Sequence, residues 1–186
     1  AMKQLFDTLS LEMSTLTTKR YSTSFSIGVH FLSKDLQAPI HAIYGFVRFA
    51  DEIVDTFHDY DKHELLKEFK DETYKAIERG ISLNPILNSF QWAVNKYQID
   101  PELIETFLQS MEMDLQTIQY ERTVYEQYIL GSAEVVGLMC LKVFVRGNEE
   151  SYSKLKDSAM KLGAAFQKIN FLRDLNADYF QLGRTY

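Results

Sequence analysis

Three prolines and eight glycines in 186 residues leave few turns. A chain so short of punctuation has little room for hairpins or strands. With one cysteine, Cys140, no intramolecular disulfide can form, and its apolar neighbours mark it as a core thiol more than a nucleophile. The most apolar run, VVGLMCLKVFV from Val135 to Val145, is interrupted by Lys142 and is too short to span a bilayer. No dense Lys/Arg cluster exists and the formal net charge is -6, which argues against a nucleic-acid partner because phosphate contacts need clustered cations. The first twenty residues, AMKQLFDTLSLEMSTLTTKR, lack the charged start and continuous apolar core of a secretion signal, and Ala1 ahead of Met2 reads as a tag remnant. A reducing cytoplasm is the expected location. None of His30, His41, His58 and His63 has a Glu three residues before it, which removes the Glu-x-x-His di-iron site of helical bundles. These histidines read as structural or surface groups. No GxSxG, Gly-rich phosphate loop or zinc spacing occurs.

What the chain does have is apolar residues at spacings of three and four, with 46% hydrophobic content, 13 Phe and 11 Tyr. That is enough for one sizeable core. The pattern predicts an all-α protein with helices near 4–19, 22–32, 36–57, 62–79, 85–97, 101–120, 124–146 and 151–182. Asp61 with Glu64 forms a capping-box pattern, Asn84-Pro85 and Asp100-Pro101 pair an N-cap with a first-turn proline, and Gly147-Asn148 marks a helix stop. No repeat, low-complexity segment or linker divides residues 1–186, so a single bundle-like domain is expected.

Two segments carry polar stripes on otherwise apolar helices. In AIYGFVRFADEIVD the residues are Tyr44, Arg48, Asp51 and Asp55; in LGAAFQKINFLRDLNAD they are Gln167, Asn170, Asp174 and Asp178. At about 100° per residue, eleven steps return to within roughly 20° of the starting direction, so each set occupies one helix face. A single Asp pair at i and i+4 is most simply a solvated face. Both helices, however, set like charges one turn apart with no Lys or Arg between the two Asp at the matching offset, which is unfavourable until a cation joins them. Carboxylates with an amide oxygen are hard ligands suited to Mg²⁺, which keeps several waters and binds substrate phosphates as well. Facing acidic helices would bind a metal–diphosphate complex, with Arg48 bonding the phosphate oxygens, and the chemistry expected is ionisation of a diphosphate ester.

Five ordered blocks, YSTSFSIGVHFL, IYGFVRFADEIVD, MEMDL, YILGSAEVVGLM and LGAAFQKINFLRDLNADYFQLGRTY, resemble the squalene and phytoene synthase family, and are most similar to bacterial phytoene synthases. The match runs from about Tyr21 to Tyr186. The resemblance implies an isoprenoid-synthase helical bundle around a central cavity and Mg²⁺-dependent head-to-head condensation of two prenyl diphosphates, with Mn²⁺ as a substitute metal. It places Asp51, Asp55, Asn170, Asp174 and Asp178 at the metals. Tyr21, Ser22, Ser24 and Arg48 then stand at diphosphate-contacting positions, and Gln167 and Tyr128 line the substrate cavity. Ala133, Val136 and Gly137 fall beside the prenyl chain. Taken alone, Ala133 and Gly137 read more simply as small residues that permit close helix packing. Asp114, on an amphipathic helix, either orients a cation or faces solvent and stays outside the candidate set.

By the same resemblance, departure of one diphosphate gives an allylic cation that a second donor attacks to form a cyclopropyl intermediate, in a cavity kept dry. A second ionisation and rearrangement leads to the linear product. Geranylgeranyl diphosphate giving phytoene, in carotenoid biosynthesis and without nicotinamide, is the leading expectation. Squalene or dehydrosqualene formation from farnesyl diphosphate is the first alternative. A head-to-tail prenyltransferase or cyclase is disfavoured, since neither motif has the adjacent Asp pair of DDxxD. A noncatalytic assembly member is a further rival, against which all five metal positions stand intact. Glu52 replaces a second Asp common in relatives, and lies off the stripe. Relatives also continue past GRTY with a C-terminal helical third that completes the cavity; this chain is expected to lack it and to turn over weakly or not at all. Peripheral contact with the inner membrane face is left open, and no pattern specifies an oligomeric state.

Overall fold

The computed structural model describes residues 1–116 and 122–164, with the backbone alone for 122–130. Helices follow one another in the expected order: α1 Met2–Tyr21, α2 Thr23–His30, α3 Lys34–Asp55, α4 Lys62–Arg79, α5 Pro85–Tyr97, α6 Pro101–Gln116 and α7 Arg122–Phe144. An eighth, α8, is helical over 149–164. No strand occurs among the described residues. Predicted and observed boundaries differ by about a turn or less within them.

Local chemistry sets those ends. Ser22 closes α1 and opens α2, its hydroxyl accepting from the Phe25 N–H at 3.2 Å. Asp61 accepts from the Glu64 N–H at 3.1 Å, and Asn84 accepts from the Ile86 and Leu87 N–H groups at 3.0 and 3.3 Å, as their sequence patterns predicted. Gly147, at φ +75°, donates its N–H back to the Lys142 carbonyl at 2.9 Å and ends α7. One residue later Asn148 accepts from the Ser151 N–H at 2.9 Å and starts α8, a cap the sequence pattern had shown only as a stop.

The core centres on Phe46 of α3. Its ring is fully buried and lies 3.8 Å from that of Phe90 on α5, and 5.5 Å from those of Phe69 on α4 and Phe107 on α6. One side chain thus ties four helices together. Lys70 of α4 adds a surface link, donating to Glu105 and Glu112 of α6 at 3.2 Å each. Lys142, which interrupts the most apolar run, is completely buried. Its ammonium pairs with Glu149, stands 3.7 Å from Asp100 and lies 4.1 Å from the Tyr152 ring centroid. Neutralised in this way, it joins α7 to α8 and to the start of α6.

Candidate functional site

The stripe on α3 is a real structural unit. Tyr44, Arg48, Asp51 and Asp55 interact electrostatically along one face. Asp51 is the most deeply placed: burial, then the neighbouring Asp55, push its carboxyl up to about 7, and Arg48 only partly offsets them. Asp55 sits at the last turn, where its side chain reaches solvent. Loss of hydration still raises its pKa, with Glu52 adding to the effect, while Arg48 and Lys62 pull it back. An excess of carboxylate in a partly dehydrated place is an arrangement that a divalent cation relieves.

Arg48 is held differently from the simplest expectation. Its guanidinium pairs with Glu52, one turn further along α3, and lies over the Tyr21 ring at 4.7 Å from the centroid. Its Nε is buried and has no hydrogen-bond partner among the described residues. A guanidinium N–H left in this state is a donor suited to an oxyanion. Glu52, off the Asp51/Asp55 line by one position, is the group that orients it. The sequence pattern contained this pair as an Arg–Glu i,i+4 spacing, which on its own is common.

Two further residues join the site from elsewhere in the fold. Asp114 of α6, excluded as ambiguous from sequence, interacts with both Asp51 and Asp55, and its carboxyl is raised first by burial and then by Asp55. Lys62, the first residue of α4, donates to the Val54 carbonyl and lowers Asp55 and Asp114. Among the described residues, no group of three or more His, Cys, Asp or Glu side chains is close enough to hold a metal ion. The Asp51 and Asp55 carboxylates are nonetheless oxygen donors of the kind that a hard divalent cation keeping most of its waters accepts.

The helix before the stripe supplies the other predicted contacts. Ser22, besides capping α2, hydrogen-bonds the Tyr44 phenol, whose pKa is raised mainly by burial. Tyr44 stacks on Phe25 at 5.0 Å. Ser24 is exposed on α2. Gln167, Asn170, Asp174 and Asp178 lie outside the described residues, as does the side chain of Tyr128, whose backbone belongs to α7. Ala133 is buried, Val136 packs on the main core, and Gly137 faces α8 so closely that a Cβ there would sit 2.8 Å from the Ala159 carbonyl oxygen. Gly163 returns the contact, with a notional Cβ 2.5 Å from the Ala133 carbonyl oxygen. The close approach of α7 and α8 requires glycine at both Gly137 and Gly163. Cys140 is partly exposed rather than fully enclosed, yet burial of its thiol pushes the pKa up to about 12, as suits an inert thiol.

A squalene/phytoene synthase family profile matches residues 18–186, which covers both stripes and every block between them. The chain belongs to the squalene/phytoene synthase family. It is 27% identical to a 4,4'-diapophytoene synthase of Staphylococcus haemolyticus over 90% of its own length and 58% of that protein's. It is 26% identical to the chloroplastic phytoene synthase 2 of Zea mays, over 89% and 42% of the two chains. The chain therefore spans about half the length of these curated relatives. A crystal structure of a dehydrosqualene synthase with ligand superposes with a TM-score of 0.78 at 25% identity, covering 97% of this chain and 61% of that one. A squalene synthase of Alicyclobacillus acidocaldarius shares the fold at a TM-score of 0.75 and 21% identity, over 95% and 65%. The isoprenoid-synthase fold expected from the sequence is thus the fold observed. Among the described residues, no helix is long and apolar enough to cross a membrane.

Proposed function

We propose that the protein to which this chain belongs is a prenyl transferase that condenses two prenyl diphosphates head to head, with geranylgeranyl diphosphate as donor and phytoene as product. The observation that carries this reading is the partly dehydrated Asp51/Asp55 pair beside an Arg48 whose Nε has no partner, inside a family match of residues 18–186. Asp51 and Asp55 would hold Mg²⁺, with Asn170, Asp174 and Asp178 as its ligands from the second motif. The metal, when bound, neutralises diphosphate charge and so stabilises the leaving group.

The chain's own residues have separable tasks. Arg48, aimed by Glu52 and Tyr21, donates to the departing diphosphate, and Ser22 and Ser24 contact the same group. Asp114 adds negative charge near Asp51 and Asp55 and strengthens their hold on a cation. Tyr44 and Phe25, stacked beside the stripe, shield the reacting end of the substrate from water. Tyr128, Gln167, Ala133, Val136 and Gly137 are assigned to the substrate cavity by family position. A second reading, a fifteen-carbon farnesyl donor with a dehydrosqualene product, is favoured by the diapophytoene synthase and dehydrosqualene synthase among the similar proteins.

The test is incubation of the full-length protein with Mg²⁺ and radiolabelled fifteen- or twenty-carbon prenyl diphosphates, followed by identification of the hydrocarbon. Phytoene from the twenty-carbon donor is expected. Dehydrosqualene from the shorter donor selects the second reading, and no diphosphate release from either selects the noncatalytic role.

A further inference from the structure

Helix α1 is built inside out. Its buried residues are Ser10, Ser14 and Thr18, small and polar, and they sit where the helix packs on α3 and α5. Its large apolar residues face away: Met2 is 81% exposed, Leu5 65%, Leu9 50%, Met13 40% and Leu16 52%. At about 100° per residue these five directions fall within an arc of about 80°, a single stripe along most of the helix. An ordinary surface helix presents the opposite arrangement. A contiguous exposed apolar face of this kind marks an interface.

The order of the stripe indicates what covers it. Counted from Leu9, the five residues stand at -7, -4, 0, +4 and +7, an order that is the same in either direction. A two-fold axis across the helix at Leu9 would set Leu9 on Leu9 of a second copy, Leu5 on Met13 and Met2 on Leu16. That is the self-complementarity an isologous contact requires, and steps of four and seven are those of a helix-pair seam. A lipid surface or an unrelated protein imposes no such mirror order. Charge agrees with it: Lys3 falls opposite Thr15 and Glu12 opposite Phe6, while Lys19 and Arg20 lie beyond the end of the other helix, so like charges do not meet. The five residues expose on the order of 500 Å² per copy, and burying both faces approaches the ~1,000 Å² at which specific interfaces begin.

We propose that two copies of this chain pair through α1, antiparallel, about a two-fold axis at Leu9. This pairing is independent of the catalytic reading. It is tested by sedimentation velocity and by cysteine cross-linking of the 186-residue chain, in a Cys140→Ala background. A dimer at tens of micromolar is expected. Leu9→Glu, which places two carboxylates on the axis, should weaken it by at least about tenfold while leaving the far-ultraviolet circular dichroism unchanged. Under mild oxidant, Leu9→Cys should cross-link to itself, whereas Leu5→Cys should cross-link with Met13→Cys and far less with itself. A monomer at all concentrations would overturn the proposal, as would a dimer indifferent to Leu9→Glu, or efficient Leu5→Cys self-linkage. A monomer that binds phosphatidylcholine vesicles and loses that binding in Leu9→Glu would also overturn it, and would assign the stripe to lipid.

Discussion

His41 Nδ1 of α3 lies 2.8 Å from Thr18 Oγ1 of α1, and both side chains are buried. The Thr18 hydroxyl already donates to the Ser14 carbonyl at 3.1 Å, so the imidazole Nδ1–H is the donor and Nε2 is the nitrogen left to titrate. Burial, and then Lys19, hold the His41 pKa below its ordinary 6.5. As pH falls through 6.5 the unfolded chain takes up a proton that the folded protein refuses. Stability from this residue is therefore complete above 6.5 and declines below it, by at most about 1.4 kcal/mol per pH unit. Urea unfolding between pH 7.5 and 5.5 should show a smaller decline for His41→Gln than for the unaltered protein; parallel curves would count against it.

Asp51 has the opposite sign. Its carboxyl keeps a proton up to about 7 in the folded protein but releases it near 3.8 when unfolded, so the stability it contributes is present at low pH and lost as pH rises through 7. At pH 8 without divalent cations, Asp51→Asn should raise the thermal midpoint by about 5 °C. Added Mg²⁺ should stabilise the unaltered protein and leave the variant behind. Under the proposed function the same variant should also lose at least about 100-fold in turnover. A lower midpoint for Asp51→Asn in chelator would refute the electrostatic account.

Gly137 tests the α7–α8 contact. A Cβ there meets the Ala159 carbonyl at 2.8 Å, a backbone atom that cannot turn aside. Gly137→Ala should cost about 1–3 kcal/mol by overpacking, despite alanine's better helix propensity. If the variant is instead more stable in chemical denaturation, the two helices are not packed this closely.

Ser14 makes a prediction of a different kind. Its Oγ is buried with no partner among the described residues, and a Cβ placed on Gly45 would stand 3.4 Å from it. Ser14→Ala removes a dehydrated hydroxyl and gains helix propensity, so stability should rise by about 1 kcal/mol. A loss of that size would reveal a hydrogen bond that this hydroxyl makes.

Much of the local structure was legible from residue order. Asp61 and Asn84 cap helices through atoms two or three residues away, and Tyr44, Arg48, Asp51 and Asp55 share a face because 3.6 residues make a turn. These relationships close within a few turns of chain, so periodicity contains them. The same holds for the pairing of Arg48 with Glu52, although spacing does not say that Glu52, rather than Asp51, takes the guanidinium.

Tertiary structure decided the rest. Asp114 reaches Asp51 and Asp55 only because α6 packs on α3 through Phe46 and Phe107. Lys142 is a buried cation instead of a break in an apolar run because Asp100, from the start of α6, and Glu149, from the start of α8, converge on it. Most clearly, periodicity alone would bury Leu5, Leu9, Met13 and Leu16, yet α3 and α5 accept the small face of Ser10, Ser14 and Thr18 and leave the leucines outside. A helix's own sequence defines its faces. Which face is turned inward depends on the shapes and charges of the helices it meets, and those come from remote parts of the chain.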